Sequence, residues 1–182
     1  MPASHDVENY TLGKGILTFN PFDETGALTD DRDLGNTPAF TFNIDIEKLE
    51  HFSSRGGINA KDKEIVSQIT PRVSFTLDEL NADNINMFVM GEMSGDADEA
   101  TIAAFTKTQI EGQLTFTSDN PAGNQQKVTI WKVSLAPDGD VSFISDDWGT
   151  LSFTGEILKD SEGHPGSPYM DIVVSESVIV GS

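Results

Sequence analysis

The residue types in this chain that could do chemistry are three histidines and many carboxylates, with no cysteine. Without cysteine, disulfides, thiolate metal ligands and a catalytic thiol are excluded. His5, His51 and His164 lie far apart, and no two of them have the i, i+4 or HxH spacing of a zinc or iron site. The sequence therefore predicts no histidine metal site.

Other catalytic signatures are missing from the sequence as well. There is no GxSxG elbow, phosphate-binding P-loop or GxGxxG turn. Asp96, Asp98 and Glu99 lack the alternating ligands and the closing glutamate of a calcium loop. Paired carboxylates for glycoside hydrolysis remain open, because the sequence does not show which acids meet in space.

Aromatic content argues mildly against a sugar-binding cleft. The chain has two Trp and two Tyr, whereas such clefts usually use these rings. We predict Trp131 and Trp148 to be core or interface residues. Taken together, these patterns predict no catalytic residue, no cofactor and no metal, and hence a protein that is not an enzyme.

The chain is strongly acidic, and its charge is uneven. Thirty acidic and eleven basic side chains give a formal net charge of −19, which repels nucleic-acid phosphates and anionic lipid. Arg55, Lys61, Lys63 and Arg72 are clustered, while residues 1–36 and 138–182 are mostly acidic. A basic protrusion on an acidic body predicts head-to-tail contacts between copies; chance clustering on a solvated loop is the alternative.

The sequence gives no sign of membrane contact. The polar N-terminus has no apolar segment of the kind found in signal peptides. No apolar run approaches the about 20 residues needed to span a bilayer. We therefore expect no membrane partner, and the absence of cysteine suits a reducing cytosol.

Period-two alternation predicts a mainly β fold, a β-sandwich or barrel in one domain over residues 1–182 with one short flanking α-helix. Asn81 is the expected helix N-cap and Gly91 its stop, with Ile85, Phe88 and Val89 toward the core. Pro137 to Asp140 is expected to form a hairpin turn. Residues 1–36 are predicted as an N-terminal arm and loop, 92–104 as a loop, and 169–182 as a C-terminal strand or arm. Strands are expected at 15–19, 40–52, 63–77, 109–117, 127–135, 141–145 and 150–158.

Two long strands joined by a glycine-centred loop are the most distinctive feature. On the first strand, apolar residues alternate with polar ones until a change of parity, which predicts a bulge near Glu47 and Lys48. On the second strand, Ile65 and Ile69 are expected on one face, and Pro71 marks a bulge or an edge position. The module is more typical of a device that joins subunits than of an active site.

The order of these features resembles the major tail tube proteins of long-tailed, siphovirus-like bacteriophages. The resemblance covers the first half of the chain well and the second half only as a series of strands. The segments that carry it are GKGILTF at 13–19, LGNTPAF at 34–40, LEHFSS at 49–54, the Gly56-Gly57 loop, the second long strand and the turn and helix over 77–91.

This resemblance implies rings of six copies, with an inner barrel built from strands of all subunits, stacked head to tail into a tube that conducts DNA during ejection. It implies the chain itself as main partner, together with a tape-measure protein, a tail terminator and a distal tail or baseplate protein. The location would be the virion tail, after assembly in the host cytoplasm, and DNA would pass through without specific binding. The 53–63 loop would contact the next ring through Ser53, Arg55, Gly56, Gly57, Lys61 and Lys63. The lumen would be lined by Thr41, Asn43, Asp45, Glu47, Gln68, Thr70, Arg72 and Ser74.

Three other functions stay open at this point. A related secretion-system tube would share the fold and the ring. A carbohydrate-binding or adhesin β-sandwich would share only the strands. A glycosidase rests on the excess of carboxylates alone.

Overall fold

The computed structural model describes residues 9–95 and 99–176. It confirms a mainly β fold with one short helix, α1 (Ala82–Phe88). The strands are β1 (Gly15–Pro21), β2 (Arg32–Asp33), β3 (Ala39–Ser53), β4 (Ala60–Leu77), β5 (Glu92–Gly95), β6 (Ala100–Ala103), β7 (Ile110–Ser118), β8 (Gln125–Asp138), β9 (Leu151–Ile157) and β10 (Met170–Ser175).

The main sheet is antiparallel and open. Its strand order is β2-β1-β7-β8-β9-β4-β3, and β10 pairs with β8. Strand β8 changes neighbour along its length, since residues 125–130 pair with β10 and residues 133–138 pair with β9. The change falls at Trp131 and Lys132. Because β2 and β3 end the path without pairing to each other, the closed barrel among our expectations is wrong.

The sheet curls around one apolar core. Phe40 of β3 lies 5.5 Å from Phe116 of β7, measured between ring centroids, although three strands separate β7 from β3 in the sheet. Phe153 stacks on Phe75 at 5.1 Å and meets Phe88 of α1 edge-on at 5.8 Å. The helix therefore packs on the core where β4 and β9 meet.

Helix α1 begins as predicted but ends earlier. The Asn81 side chain accepts a hydrogen bond from the Asn84 backbone N–H at 2.9 Å, which confirms the cap. The helix ends at Phe88, and Met90 rather than Gly91 takes the left-handed conformation, with φ 49°. Gly91 is needed for another reason, because a Cβ there would lie 2.8 Å from the Ala103 carbonyl oxygen.

The buried helix positions also differ from the expected stripe. Asn84 and Met87 are buried, whereas Ile85 and Phe88 are partly buried at the edge of the core and Val89 caps the helix. Asn84 is buried because all its polar groups find partners: it accepts from Arg32 at 2.7 Å and donates to the carbonyl oxygens of Leu34 and Glu79.

Three local expectations are wrong. Residues 92–104 contain the antiparallel pair β5–β6 instead of a loop. The strand expected at 141–145 does not form, and the turn after Pro137 is not a tight hairpin, since β8 continues to Asp138 and β9 begins only at Leu151. Phe143 and Ile144 are exposed there and have no strand to pair with. His5, Asp96, Asp98 and residues 177–182 lie outside the described residues.

Phe153→Ala is expected to destabilise the fold by about 3–5 kcal/mol, because it removes a ring packed against two others and leaves a cavity. The matched control is Phe143→Ala, which truncates a Phe that is 76% exposed and is expected to cost under about 0.5 kcal/mol. Urea unfolding followed by circular dichroism measures both. Equal losses from the two variants would contradict the assignment of the core.

Candidate functional site

The candidate site is the part of the β3–β4 hairpin that no third strand of the described structure supports. Strands β3 and β4 pair along their whole length, but β9 pairs only with residues 72–77 of β4. Residues 44–53 and 60–71 therefore form a two-stranded segment, called here the ribbon. Pro71 is the first residue of β4 beyond β9, which confirms its predicted edge position. No strand among residues 9–95 and 99–176 pairs with the outer edge of β3, which is 15 residues long.

One face of the hairpin is polar. Residues directly opposite each other in an antiparallel pair point to the same side, and four such pairs contain all eight predicted lumen residues. They are Thr41–Ser74, Asn43–Arg72, Asp45–Thr70 and Glu47–Gln68. The structure therefore brings this set together, and we call it the polar face.

The polar face extends onto β9, which the sequence analysis missed. Ser152, Thr154 and Glu156 lie opposite Thr76, Ser74 and Arg72. The hydroxyl oxygens of Thr76 and Ser152 are 3.1 Å apart. The signal was present in the alternation of LSFTGEI, whose other face is buried in the core.

The opposite face of the hairpin is apolar and uncovered. It continues the core positions Val73 and Phe75 outward along the same strands. Its large side chains are 43–52% exposed, and a stripe of this kind marks an interaction surface. We call it the apolar face; its members are Phe42, Ile44, Ile46, Val66 and Ile69.

A bulge changes the pattern beyond these residues. The register shifts after Glu47, as predicted, but the extra residue is Ser67 on β4 rather than a residue of β3. Beyond it, Ile65 lies opposite Leu49 and Glu64 opposite Glu50. Our expectation that Ile65 shares a face with Ile69 is therefore wrong, because the bulge reverses the parity of β4.

An ion-pair cluster fills the position where the apolar face stops. Lys48 Nζ lies 2.5 Å from a Glu64 carboxylate oxygen, and Lys61 Nζ bonds both Glu50, at 2.6 Å, and Glu64. The hydrogen bond from Lys48, followed by that from Lys61, lowers the pKa of Glu64 to about 2. The bonds to Glu50 and Glu64 raise the pKa of Lys61. These contacts hold together two glutamates that would otherwise repel across the strands.

The predicted basic loop is smaller than expected. The turn covers residues 54–59 and contains Arg55, Gly56 and Gly57, while Ser53 ends β3. Lys61 and Lys63 lie on β4, and Lys61 is neutralised within the chain. The residues of the turn together with Lys63 are called here the tip. Its cationic side chains are Arg55 and Lys63, and its Ile58 is 87% exposed.

A groove of about 1140 Å³ lies between the 22–31 segment and α1. Its lining contains two bases, Arg32 and Lys107, and seven acids. Burial lowers the pKa of Arg32. Glu111 Oε2 forms an ion pair with Lys132 Nζ at 3.0 Å. The aromatic residues of the lining are Phe19 and Phe22, so the groove has no Trp or Tyr on which a sugar ring could stack. The acids are Asp23, Glu24, Asp30, Asp31, Asp83, Glu92 and Glu111.

The two described histidines each bind a neighbouring aspartate. His51 Nδ1 lies 2.6 Å from Asp62, and His164 Nδ1 lies 2.8 Å from Asp160. His164 also stacks on Trp131 at 3.6 Å. Over residues 9–95 and 99–176, no three His, Asp or Glu side chains are placed to hold a metal ion. Within the same residues, no helix is long and apolar enough to cross a membrane.

Comparisons with known proteins locate the chain in one family. The family described as "Protein of unknown function UCP028589" matches residues 10–101 and 95–173. No curated protein matches the chain.

Two solved structures are similar to the chain. A chain from a cryo-EM structure of the anti-feeding prophage baseplate is 9% identical over 95% of this chain and 97% of its own, with a TM-score of 0.48. A chain from a sheath-tube complex of an extracellular contractile injection system, PVC, in the extended state is 12% identical over 94% and 95%, with a TM-score of 0.44. Both scores are too low to carry a functional argument, so function is argued from this chain's own surfaces.

Replacing Lys48 and Lys61 together by Met is expected to raise the pKa of Glu64 from about 2 toward its ordinary 4.5. Because the folded pKa is lowered, the ion pairs stabilise the ribbon above pH 4.5 and are lost as the pH falls toward 2. Carbon NMR titration of the Glu64 carboxyl measures the shift. A wild-type titration near 4.5 would show that the cluster does not form.

Proposed function

Since the chain belongs to the family of proteins of unknown function named above, we propose its function from its own surfaces. It is a structural, non-enzymatic subunit of a phage tail tube. Copies form rings, six to a ring by the sequence resemblance, and the rings stack into a tube through which DNA passes. The observation that carries this proposal is the unsupported ribbon with its uncovered apolar face and its unpaired edge.

In the proposal, further copies of the chain bury the exposed side chains of the apolar face. Covering its half-exposed side chains would stabilise a contact by roughly 1 kcal/mol for each side chain. The unpaired edge of β3 offers main-chain hydrogen bonds as well, and an edge of this length is a liability in a monomer. The two ends of the strand path are β3 and β2. Contact between different surfaces is heterologous, and heterologous contacts close rings or extend filaments.

Stacking would use opposite charges at the two ends of the molecule. Strand β4 runs from the tip to Leu77. The C-terminal ends of β4, β8 and β1 lie together, because alternate neighbours in an antiparallel sheet run the same way. The acid-lined groove adjoins the end of β1 at Pro21. In the proposal, the tip of one ring, with Arg55, Lys63 and Ile58, contacts the groove of the next ring.

The polar face would line the lumen. It carries hydroxyl and amide groups and the acids Asp45, Glu47 and Glu156, which repel DNA phosphates. Arg72, the basic residue of the face, lies directly opposite the acidic Glu156 in the strand register. DNA would slide past such a wall without being held.

The remaining partners follow from the sequence resemblance alone. They are a tape-measure protein, a tail terminator and a distal tail or baseplate protein, and the location is the virion tail after assembly in the host cytoplasm. A secretion-system tube would use the same ring contacts and differ in its cargo. A carbohydrate-binding sandwich would instead act as a monomer and leave the apolar face without a role.

Ile44→Glu is expected to abolish assembly, because it places a charge in the middle of the apolar face. The matched control is Asn43→Glu, which adds the same side chain one residue away on the polar face. Sedimentation velocity and negative-stain microscopy of the purified proteins measure the outcome. Wild type and Asn43→Glu should form rings or tubes, and Ile44→Glu should remain monomeric.

Two results would contradict this part of the proposal. The first is a wild-type protein that stays monomeric at high concentration. The second is normal tubes from Ile44→Glu, which would remove the apolar face from assembly. Circular dichroism checks that Ile44→Glu is folded; if it is not, Ile46→Ser, which adds no charge, replaces it, and normal tubes from that variant would contradict the proposal in the same way.

Asp45→Lys with Glu47→Lys is expected to leave assembly intact and to make the tubes retain DNA. Two charges per subunit would change sign on the face assigned to the lumen, from two negative to two positive. Co-sedimentation of assembled tubes with short duplex DNA measures retention, which should fall steeply as salt rises. Tubes that bind as little DNA as wild type would place this face away from the lumen.

A further inference from the structure

The loop between β8 and β9, residues 139–150, exposes three large apolar side chains. Phe143, Ile144 and Trp148 are 76%, 96% and 95% exposed. Single exposed apolar residues are ordinary on protein surfaces. Two aromatic rings and an isoleucine, nearly bare within one short loop, form a patch of the kind that marks a protein interface.

This loop is anchored at both of its ends. Val141 packs against the core, and Gly149 lies so close to Leu80 that a Cβ would be 3.0 Å from its methyl carbon. Inside the loop, the Ser142 hydroxyl donates to the Ile144 carbonyl at 2.9 Å, and the Asp147 N–H donates to Ser145 Oγ at 3.0 Å. These contacts fix the conformation of the loop with its apolar side chains exposed. The loop therefore loses less conformational entropy when a partner binds.

The charges next to these side chains in the sequence are of one sign. Asp138, Asp140, Asp146 and Asp147 lie in or beside the loop, and the sequence has no Lys, Arg or His between Lys132 and Lys159. Anionic lipid and nucleic acid are repelled by such a surface. The complementary partner has an apolar cleft rimmed by Lys or Arg.

A second copy of this chain does not offer that cleft. Its groove is lined by seven acids against two bases, so it would repel the loop. Its apolar face stops at the cluster of Lys48, Lys61, Glu50 and Glu64, in which each base is already paired. Its tip is a six-residue turn with a single large apolar side chain, Ile58, and is too small to cover three.

We propose that the 139–150 loop is a docking site for a different protein, one with a basic surface and an apolar cleft that takes Trp148. The surface is separate from the apolar face and from the groove. The inference therefore does not depend on ring formation, and a particle that contains the chain would carry the site on each copy.

The experiment uses particles or complexes purified from cells that make the full chain. A zero-length carbodiimide joins a carboxylate to a lysine that it touches, and mass spectrometry then identifies what is joined to Asp146 or Asp147. We expect lysines of a different protein with an excess of basic residues. Trp148→Ser should lower the yield of this product roughly tenfold or more.

The matched control is Phe105→Ser, which removes another exposed aromatic residue, 83% exposed, outside the loop and should leave the yield unchanged. A second readout is acrylamide quenching of Trp148, which should be weaker in the particle than in the isolated chain. Trp131 is stacked on His164 in both states and gives a constant background.

Several outcomes would overturn the proposal. Products only with Lys61 or Lys63 of the same chain would assign the loop to self-assembly, as would loss of rings in Trp148→Ser but not in Phe105→Ser. Equal quenching in the particle and in the isolated chain would show that nothing covers the loop. A blue shift of Trp148 on phosphatidylglycerol vesicles would indicate a membrane surface instead. Normal tubes from Trp148→Ser that have lost the identified protein would support the proposal and leave the tube function standing.

Discussion

The constraint on which the rest of the structure depends is the mismatch between β4 and the strand beside it. Strand β4 has 18 residues, but β9 pairs with only residues 72–77. As far as the bulge, the remaining residues carry the same alternation into a region that the core does not cover. A two-stranded antiparallel pair is marginally stable by itself in water, so the ribbon needs either internal bonds or a partner.

The ribbon has both kinds of support in different places. Near the tip, the cluster of Lys48, Glu50, Lys61 and Glu64 joins the two strands from one side. Exposed pairs of this type contribute little each, and they disappear in acid as Glu64 takes up a proton. Between the cluster and the core, the apolar face has no partner within the described residues, and there a second copy would have the most to stabilise. In the proposed assembly, the cluster joins the strands near the tip, and contact with another copy stabilises the middle of the hairpin.

Local alternation and capping could be predicted from the sequence because they depend on near neighbours. The polar face, the bulge near Glu47 and the cap at Asn81 are of this kind. The β5–β6 pair and the irregular 139–150 loop could not be predicted in this way, because pairing depends on which strands the fold brings together. Nor could the buried positions of Asn84 and Asn120, which look like surface residues in sequence and are buried because backbone groups distant in the chain satisfy their amides. In the candidate site, the alternation predicted the members of the polar face, while Ile65 was assigned to the wrong face because the extra residue lies on β4.

In the proposed assembly, the net charge of −19 limits which surfaces of two copies can meet. Two copies repel each other over most of their surface, so a stable contact between them must be apolar or must join patches of opposite sign. The apolar face satisfies the first condition, and the tip with the groove satisfies the second. The polar face satisfies neither, because Asp45, Glu47 and Glu156 of neighbouring copies would meet like charges. In the proposed ring, which is built through the other two surfaces, the polar face is therefore the one left to water, and a hydrated, acidic wall would suit the proposed passage of DNA.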